Sequence, residues 1–330
     1  MGGDNAPAAP VGAAIEVAAQ GLRVLLVGRR DLLERELARQ GATGREPIEL
    51  IHASERVDGH EDGARAVRAK PDSSIAVTCR LVGEGRASAA VSAGNTGGML
   101  AAATLFMRRV PGIMRPAIAV VIPGAGARPV VLLDAGASAD MRPDHYPQLA
   151  MMGRLFARDV LGVPAPRVGL LSIGEEDTKG SGPVQAAFEL LRDTDGFVGN
   201  VEGRDIPAAT VDVVVTDGFT GNVVLKTMEG VASMLMSEVR AAVVETLPGR
   251  LGGMLVRPSL RRLRDRIDPE QYGGAVLLGV RGVAVIGHGN SSGVAIANAI
   301  RVAARAARED LVGHFAAALA QESAERTPAA

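Results

Sequence analysis

Residues 211–230 read VDVVVTDGFTGNVVLKTMEG, and this stretch decides the fold. Val211–Thr216 is dominated by apolar and β-branched residues, the composition of a strand buried in a sheet. Asp217-Gly218-Phe219-Thr220-Gly221-Asn222 follows, then apolar residues at helical spacing with Lys226 one turn inside. Strand, glycine turn and helix make half of a β–α–β crossover, which joins parallel strands. The turn also carries an acid, a hydroxyl and an amide, more polar chemistry than a connector needs.

The same alternation runs outward in both directions. The sequence predicts strands over Arg23–Val27, Ala89–Ser92, Ala117–Ile122, Val130–Asp134, Val168–Ile173, Val211–Thr216 and Val283–Ile286. Predicted helices cover Pro7–Gln20, Leu32–Gln40, Thr96–Arg109, Tyr146–Leu161, Val184–Asp193, Val223–Leu247 and Val294–Glu322. Ile118–Ile122 and Val130–Leu133, joined through glycines and prolines, read as a hairpin. With no repeat or low-complexity linker, residues 1–330 read as a single α/β domain on a largely parallel sheet.

Composition narrows the function. A chain of 330 residues that is 47% hydrophobic can bury a large core. A net charge of −1 argues against a general nucleic-acid binder, and 2% aromatic residues with no Trp argue against stacking platforms. Cys79 is the single cysteine, read as a small core residue in a reducing, cytoplasmic setting. No apolar run reaches membrane-spanning length, and MGGDNAP lacks the layout of a signal peptide. Ala6 stands where a myristoylation signal needs Ser or Thr.

Polar residues gather where predicted strands end. Beside the opening turn, Ser92 runs into Gly94-Asn95-Thr96-Gly97-Gly98, and Leu133 into Asp134-Ala135-Gly136-Ala137-Ser138. Ile173 runs into Gly174 through Lys179-Gly180, and Ile286 into Gly287-His288-Gly289-Asn290-Ser291-Ser292. In an open parallel sheet such loops share one edge, where ligands bind. Glycine amides, helix N-termini and neutral donors suit an anion. Each Asn, Ser or Thr taken singly reads equally as a helix N-cap.

Stock motifs fail. Gly124–Ala127 never completes a dinucleotide fingerprint, and Gly174–Lys179 lacks the P-loop's second glycine while carrying three acids. Asp140, Asp144 and His145 read as helix-opening residues rather than metal ligands. Gly289-Asn290-Ser291-Ser292-Gly293 satisfies a nucleophile-elbow pattern, which keeps a serine esterase or thioesterase using Ser291 as an alternative. Its only downstream partners, Glu309, Asp310 and His314, all fall in one predicted helix.

The loops in this order resemble the bacterial phosphate acyltransferases of phospholipid synthesis, the acyl-[acyl-carrier-protein]:phosphate transacylases. The resemblance is carried by MGGDNAP at 1–7, VSAGNTGG at 91–98, LLDAGAS at 132–138, DGFTGNVVLKTMEG at 217–230 and YGGAVLLGVRGVAVIGHGNSS at 272–292. It implies an isocitrate/isopropylmalate-dehydrogenase-like three-layer α/β sandwich, a homodimer, no redox cofactor and no metal. It also implies that inorganic phosphate attacks a long-chain acyl-carrier-protein thioester, giving acyl phosphate. Two departures stand out. Members usually carry a strand ahead of the MGGD motif, whereas this chain starts at Met1-Gly2-Gly3-Asp4: either the true start lies upstream or the first strand is absent. The members' GTE and KGNE appear as Gly174-Glu175-Glu176 and Lys179-Gly180-Ser181-Gly182.

The chemistry requires a held phosphate, a stabilised thioester oxyanion and support for a departing thiolate. One oxyanion donor is worth about 3 kcal/mol in a transition state. Gly94, Asn95, Thr96 and Gly97, with Gly136, Gly218, Gly221, Asn290 and Ser291, are the expected substrate cradle, and Thr220 and Asn222 its donors. Lys226 and Lys179 are expected to neutralise phosphate; the competing reading leaves both in solvent. Asp217 is expected to orient Lys226 or a loop amide, or to assist the thiol. His288 is the expected acid for the leaving sulfur, with a turn-fixing role as its alternative.

Residues 229–269 predict a projecting helical hairpin. Val231, Leu235, Val239 and Val243 line one helix, and Arg257, Arg261, Arg262, Arg264 and Arg266 follow Met254-Leu255-Val256. Basic plus apolar suits an anionic membrane surface, an acidic carrier protein or a downstream membrane acyltransferase, with dimerisation through the first helix. Peripheral membrane association of a cytoplasmic protein is the expectation. Two further classes stay open: a metal-dependent dehydrogenase on the same fold, and a non-catalytic anion-binding module.

Overall fold

The computed structural model describes residues 2–42, 47–267 and 269–326. Its ten strands are β1 (Val24–Gly28), β2 (Ile48–His52), β3 (Ala89–Ser92), β4 (Ala117–Pro123), β5 (Pro129–Leu133), β6 (Val168–Leu171), β7 (Phe197–Val201), β8 (Val213–Val215), β9 (Ala275–Leu278) and β10 (Val283–Ile286). Eight form one sheet in the order β3-β10-β9-β4-β5-β8-β6-β7, and β1 and β2 make a separate parallel pair. All seven sequence-predicted strands are present. β2, β7 and β9 were not expected; IELIH and FVGNV interrupt their apolar residues with polar residues or glycine, and AVLL sits between glycine turns.

The strands read as continuous apolar runs because both faces are covered. Val131 and Leu133 point to a core shared with the helices Tyr146–Asp159 and Gly293–Arg308. Val130 and Leu132 point the other way, to the side where Leu225 and Ile206 pack. Ile118, Leu277 and Ile286 on that side meet the helices Ser74–Gly83 and Thr96–Ala102. Helix, sheet and helix make three layers, as expected. Cys79 lies fully buried in the second core, and burial pushes its thiol up to about 12.

Three of the sheet's ladders are antiparallel: β10 with β9, β9 with β4, and the expected hairpin β4 with β5. β3 pairs with β10, and β5, β8, β6 and β7 pair among themselves, all in parallel. Three reversals in succession turn β3 and β10 against β5, β8 and β6 in the ladder. This corrects the expectation of five loops on one edge. The loops form two groups, one after β3 and β10 and one after β5, β6 and β8.

Helix boundaries differ for local reasons. The helix after β8 starts at Gly218, not Val223, because Asp217 caps it, so DGFTGN is mostly first helical turn. The expected Thr96–Arg109 helix ends at Ala102 and passes into a π-turn, Ala103–Met107. The expected Val294–Glu322 helix breaks into Gly293–Arg308 and Leu311–Arg326, since Asp310 takes a left-handed conformation at φ 47°. Gly218–Glu245 packs on Leu247–Ile267 as the projecting hairpin, continuous through Pro258.

A cavity of about 560 Å³ separates β1 from the edge strand β3. Leu25 and Val27 line one wall, Ala89 and Val91 another, and Ile75 and Ile300 come from flanking helices. Gly3, Gly94 and Gly289 border it.

Candidate active site

The first loop group is built around the N-terminal glycines and two helix starts. Gly3 packs so closely that an added Cβ would meet the Ala93 carbonyl at 2.7 Å, and the Asp4 amide donates to the Gly289 carbonyl at 2.8 Å. Asn5 Nδ2 donates to the carbonyls of Asn290 and Ser291. Residues 3–5 thus tie the β3 and β10 loops together.

Asn95, expected to bind substrate, is occupied by the fold. Its Oδ1 accepts from the Gly98 amide at 2.7 Å, and its Nδ2 donates to the carbonyls of Asp58, Gly59 and Glu61. The cap reading therefore holds for Asn95. Thr96 and Gly97 are exposed in the first turn of that helix, where amides have no intrahelical partner. Gly94 is half-buried, its amide donating to Ser92 Oγ at 3.2 Å.

The second group turns on a carboxylate that the sequence reading passed over. Asp134 is fully buried, and its carboxylate accepts from the amides of Ile118, Gly136, Ala137 and Ser138 at 2.8–3.1 Å. Burial raises its carboxyl above the ordinary range, and these amides oppose that shift. The helix from Gly218 lies directly on this loop. A Cβ at Gly221 would fall 1.9 Å from the Asp134 carbonyl oxygen, and one at Gly218 would fall 2.6 Å from its carboxylate. Gly136, at φ 135°, faces Asn222.

Asp217 and Thr220 complete each other. The Asp217 carboxylate accepts from the Thr220 amide at 2.8 Å and from its hydroxyl at 2.7 Å. The Gly218 amide donates to Ser138 O, and the Gly221 amide to Asp217 O. These four expected site residues hold the helix in place, and their donors are engaged. Tyr146, buried behind them and hydrogen-bonded to the Asp217 backbone, has its phenol pushed up to about 12 by burial. Asn222 remains exposed.

The two groups meet through one carboxylate. Lys226 Nζ donates to Glu229 Oε2 at 2.8 Å, and His288 Nε2 stands 3.7 Å from Glu229 Oε1. Lys226 and His288, expected from separate motifs, are therefore brought together. Glu229 itself was not expected; its signal was the three-residue spacing from Lys226 on one helix face.

The remaining expected residues lie apart. Lys179 is exposed in the β6 loop, its amide bonded to the Glu176 carbonyl. Asn290 is exposed in the β10 turn, and Ser291 is 5% exposed beneath it. His314, the histidine downstream of Ser291 that an esterase reading needs, bonds Asp159 at 2.8 Å instead. His145 accepts from the Arg142 amide at a helix start, the opening role expected of it. Among the described residues, no group of three or more His, Cys, Asp or Glu could hold a metal ion.

Comparison with known proteins places this architecture first. A phosphotransacetylase from Streptococcus pyogenes superposes with a TM-score of 0.62 at 15% identity, over 93% of this chain and 92% of that one. A 4-hydroxythreonine-4-phosphate dehydrogenase from Klebsiella pneumoniae superposes at 0.51 and 15% identity, over 91% and 95%. The expected dehydrogenase-like α/β fold is thus the observed one. Sequence then fixes the kinship. The family model described as "Fatty acid synthesis protein" matches residues 1–313. A phosphate acyltransferase from Anaeromyxobacter dehalogenans is 46% identical over 325 residues, 98% of this chain and 90% of the relative. The chain belongs to the fatty acid synthesis protein family.

Proposed function

We infer that the protein is a phosphate acyltransferase, joining inorganic phosphate to the acyl group of a long-chain acyl-carrier-protein thioester. The observation that carries this reading is the relationship to phosphate acyltransferases over nearly the whole chain. Glu229, which bonds Lys226 and stands near His288, supports it. A phosphate oxygen adds to the thioester carbonyl, the C–S bond breaks, and the carrier thiolate takes a proton. Lys226 would neutralise the phosphate while Asn222 and the Thr96 and Gly97 amides offer neutral donors. His288, exposed at the junction, would supply the proton to sulfur. Phosphate is nucleophilic at neutral pH, so positioning does most of the catalysis.

The hairpin supplies the proposed partner surface. Val231, Met234 and Leu235 are each more than half exposed along its first helix, and Met254 and Leu255 along its second. A second copy covering the first row would give a homodimer. Arg257, Arg261 and Arg262 accompany the second row, while the side chains of Arg264 and Arg266 lie outside the described residues. This basic and apolar face suits peripheral contact with anionic lipid. Among the described residues, no helix is long and apolar enough to cross a membrane. Replacing Arg257, Arg261 and Arg262 by Glu should abolish sedimentation with anionic vesicles; unchanged sedimentation rejects the membrane contact.

The reaction is tested with acyl-carrier-protein thioester and labelled inorganic phosphate. Labelled acyl phosphate with stoichiometric carrier thiol is expected. Thiol with free fatty acid and no labelled product would favour the esterase, and no turnover would favour an anion-binding module.

A further inference from the structure

Lys226 and Glu229 lie on the helix that follows β8, whereas His288 lies on the turn that follows β10. These strands belong to the two loop groups that the antiparallel centre of the sheet sets apart. One carboxylate reaches both: Oε2 bonds Lys226 at 2.8 Å and Oε1 faces His288 at 3.7 Å. The first is a charge-assisted hydrogen bond, and the second an ion-pair distance. Glu229 is also the least exposed member, at 32% of its side chain against 53% for Lys226 and 58% for His288. The better-buried group is the anchor, and the exposed groups take their positions from it.

We propose that Glu229 is a positioning residue of the acyl transfer, one carboxylate holding the phosphate-neutralising Lys226 and the proton-donating His288 in register across the two loop groups. This rests on the acyltransferase reading above. Without the carboxylate, the Lys226 ammonium and the His288 ring lose their common partner and the two loops lose a side-chain tie. The carboxylate does not touch the reacting atoms, so its loss should lower turnover more than it weakens phosphate binding. An exposed pair is worth little to folding, so stability should not move. Asp4, whose carboxylate lies near Gly289, is a further charged group beside the His288 turn.

Full-length wild type, Glu229→Gln, Glu229→Asp, His288→Gln and the Glu229→Gln/His288→Gln double variant are assayed with acyl-carrier-protein thioester and inorganic phosphate. The expected result is a roughly tenfold or larger fall in kcat for Glu229→Gln, with KM for phosphate within about threefold. Glu229→Asp should recover part of the loss. In the double variant Glu229→Gln should add little to His288→Gln, because residues acting as a unit are not additive. The thermal midpoints should coincide with wild type. Glu229→Gln at wild-type kcat, or full additivity in the double variant, overturns the inference while leaving the acyltransferase reading intact. Wild type that forms no acyl phosphate overturns both.

Discussion

Asp134→Ala should destabilise the protein severely, although no substrate is expected to touch Asp134. Its carboxylate accepts five hydrogen bonds from the amides of Ile118, Gly136, Ala137 and Ser138. The bonds from Ile118 and Ser138 are buried, so water cannot replace the acceptor there. Each orphaned buried donor costs about 1–3 kcal/mol, and the half-buried amides add less. The sum is about 3–5 kcal/mol, a large fraction of the roughly 5–15 kcal/mol that holds a domain folded. Urea unfolding followed by circular dichroism should show the midpoint falling at unchanged slope. A loss under about 1 kcal/mol would refute the accounting. Asp134→Asn tests the charge. Burial raises the folded carboxyl, so the ionised form is penalised in the native state. Wild type therefore gains from this group below the unfolded value near 4 and loses that gain as pH rises through the folded value. Asn carries no such dependence, so the deficit of Asp134→Asn should be largest in acid and narrow toward neutral pH.

Three further outcomes follow from packing and charge. Gly221→Ala should cost about 3 kcal/mol or more, since its Cβ meets a backbone carbonyl at 1.9 Å, whereas Gly230→Ala on the same helix has open space and should gain about 0.5–1 kcal/mol; equal melting temperatures would refute the close approach. His314→Ala should cost about 0.5–1 kcal/mol at pH 6. Burial raises the Asp159 carboxyl, but bonds from Arg158 and His314 outweigh it and leave it lowered, so the contribution is present above the unfolded value and lost as pH falls through the folded one; a deficit unchanged at pH 2 would contradict this. A chain carrying about six apolar β-branched residues ahead of Met1 should set an added strand between β1 and β3, where the cavity has strand neighbours on two sides and helices on the others. Hydrogen exchange at Leu25 and Val91 should slow; unchanged exchange would reject the added strand.

The layered α/β fold was legible because its strands are buried on both faces and so announce themselves as apolar runs such as VVLL and VAVI. The direction of those strands was not. IELIH mixes polar with apolar residues and AVLL sits between glycine turns, and the unexpected β9 is the strand that pairs antiparallel with both β10 and β4. Without β9 the strand-end loops read as one row. Site residues were legible as types and not as roles. Asp217, Thr220 and Asn95 have the same letters whether they cap a helix or bind an anion, and only their hydrogen-bond partners separate the two. Asp134 was missed because a carboxylate at a strand end reads as a polar loop residue until its burial is known.

Those engaged residues explain why the exposed ones are where they are. A donor bound to the fold cannot also be offered to a substrate, so the sequence DGFTGN divides into two sets. Asp217, Gly218, Thr220 and Gly221 fasten the helix start onto the Asp134 loop, by capping and by the absence of side chains. Fastening anchors the helix start, and Asn222 and Lys226 project from that anchored helix. Glu229, a turn further on, carries that rigidity across to His288. Loosening the cap should therefore damage turnover before it unfolds the chain: Asp217→Ala, losing about 1 kcal/mol of helix capping, should lower kcat by far more than the fivefold or so that this energy represents. Activity and stability of that variant, measured side by side, decide it; a fall in kcat no greater than the capping energy accounts for would mean that Lys226 and His288 do not depend on the anchored helix.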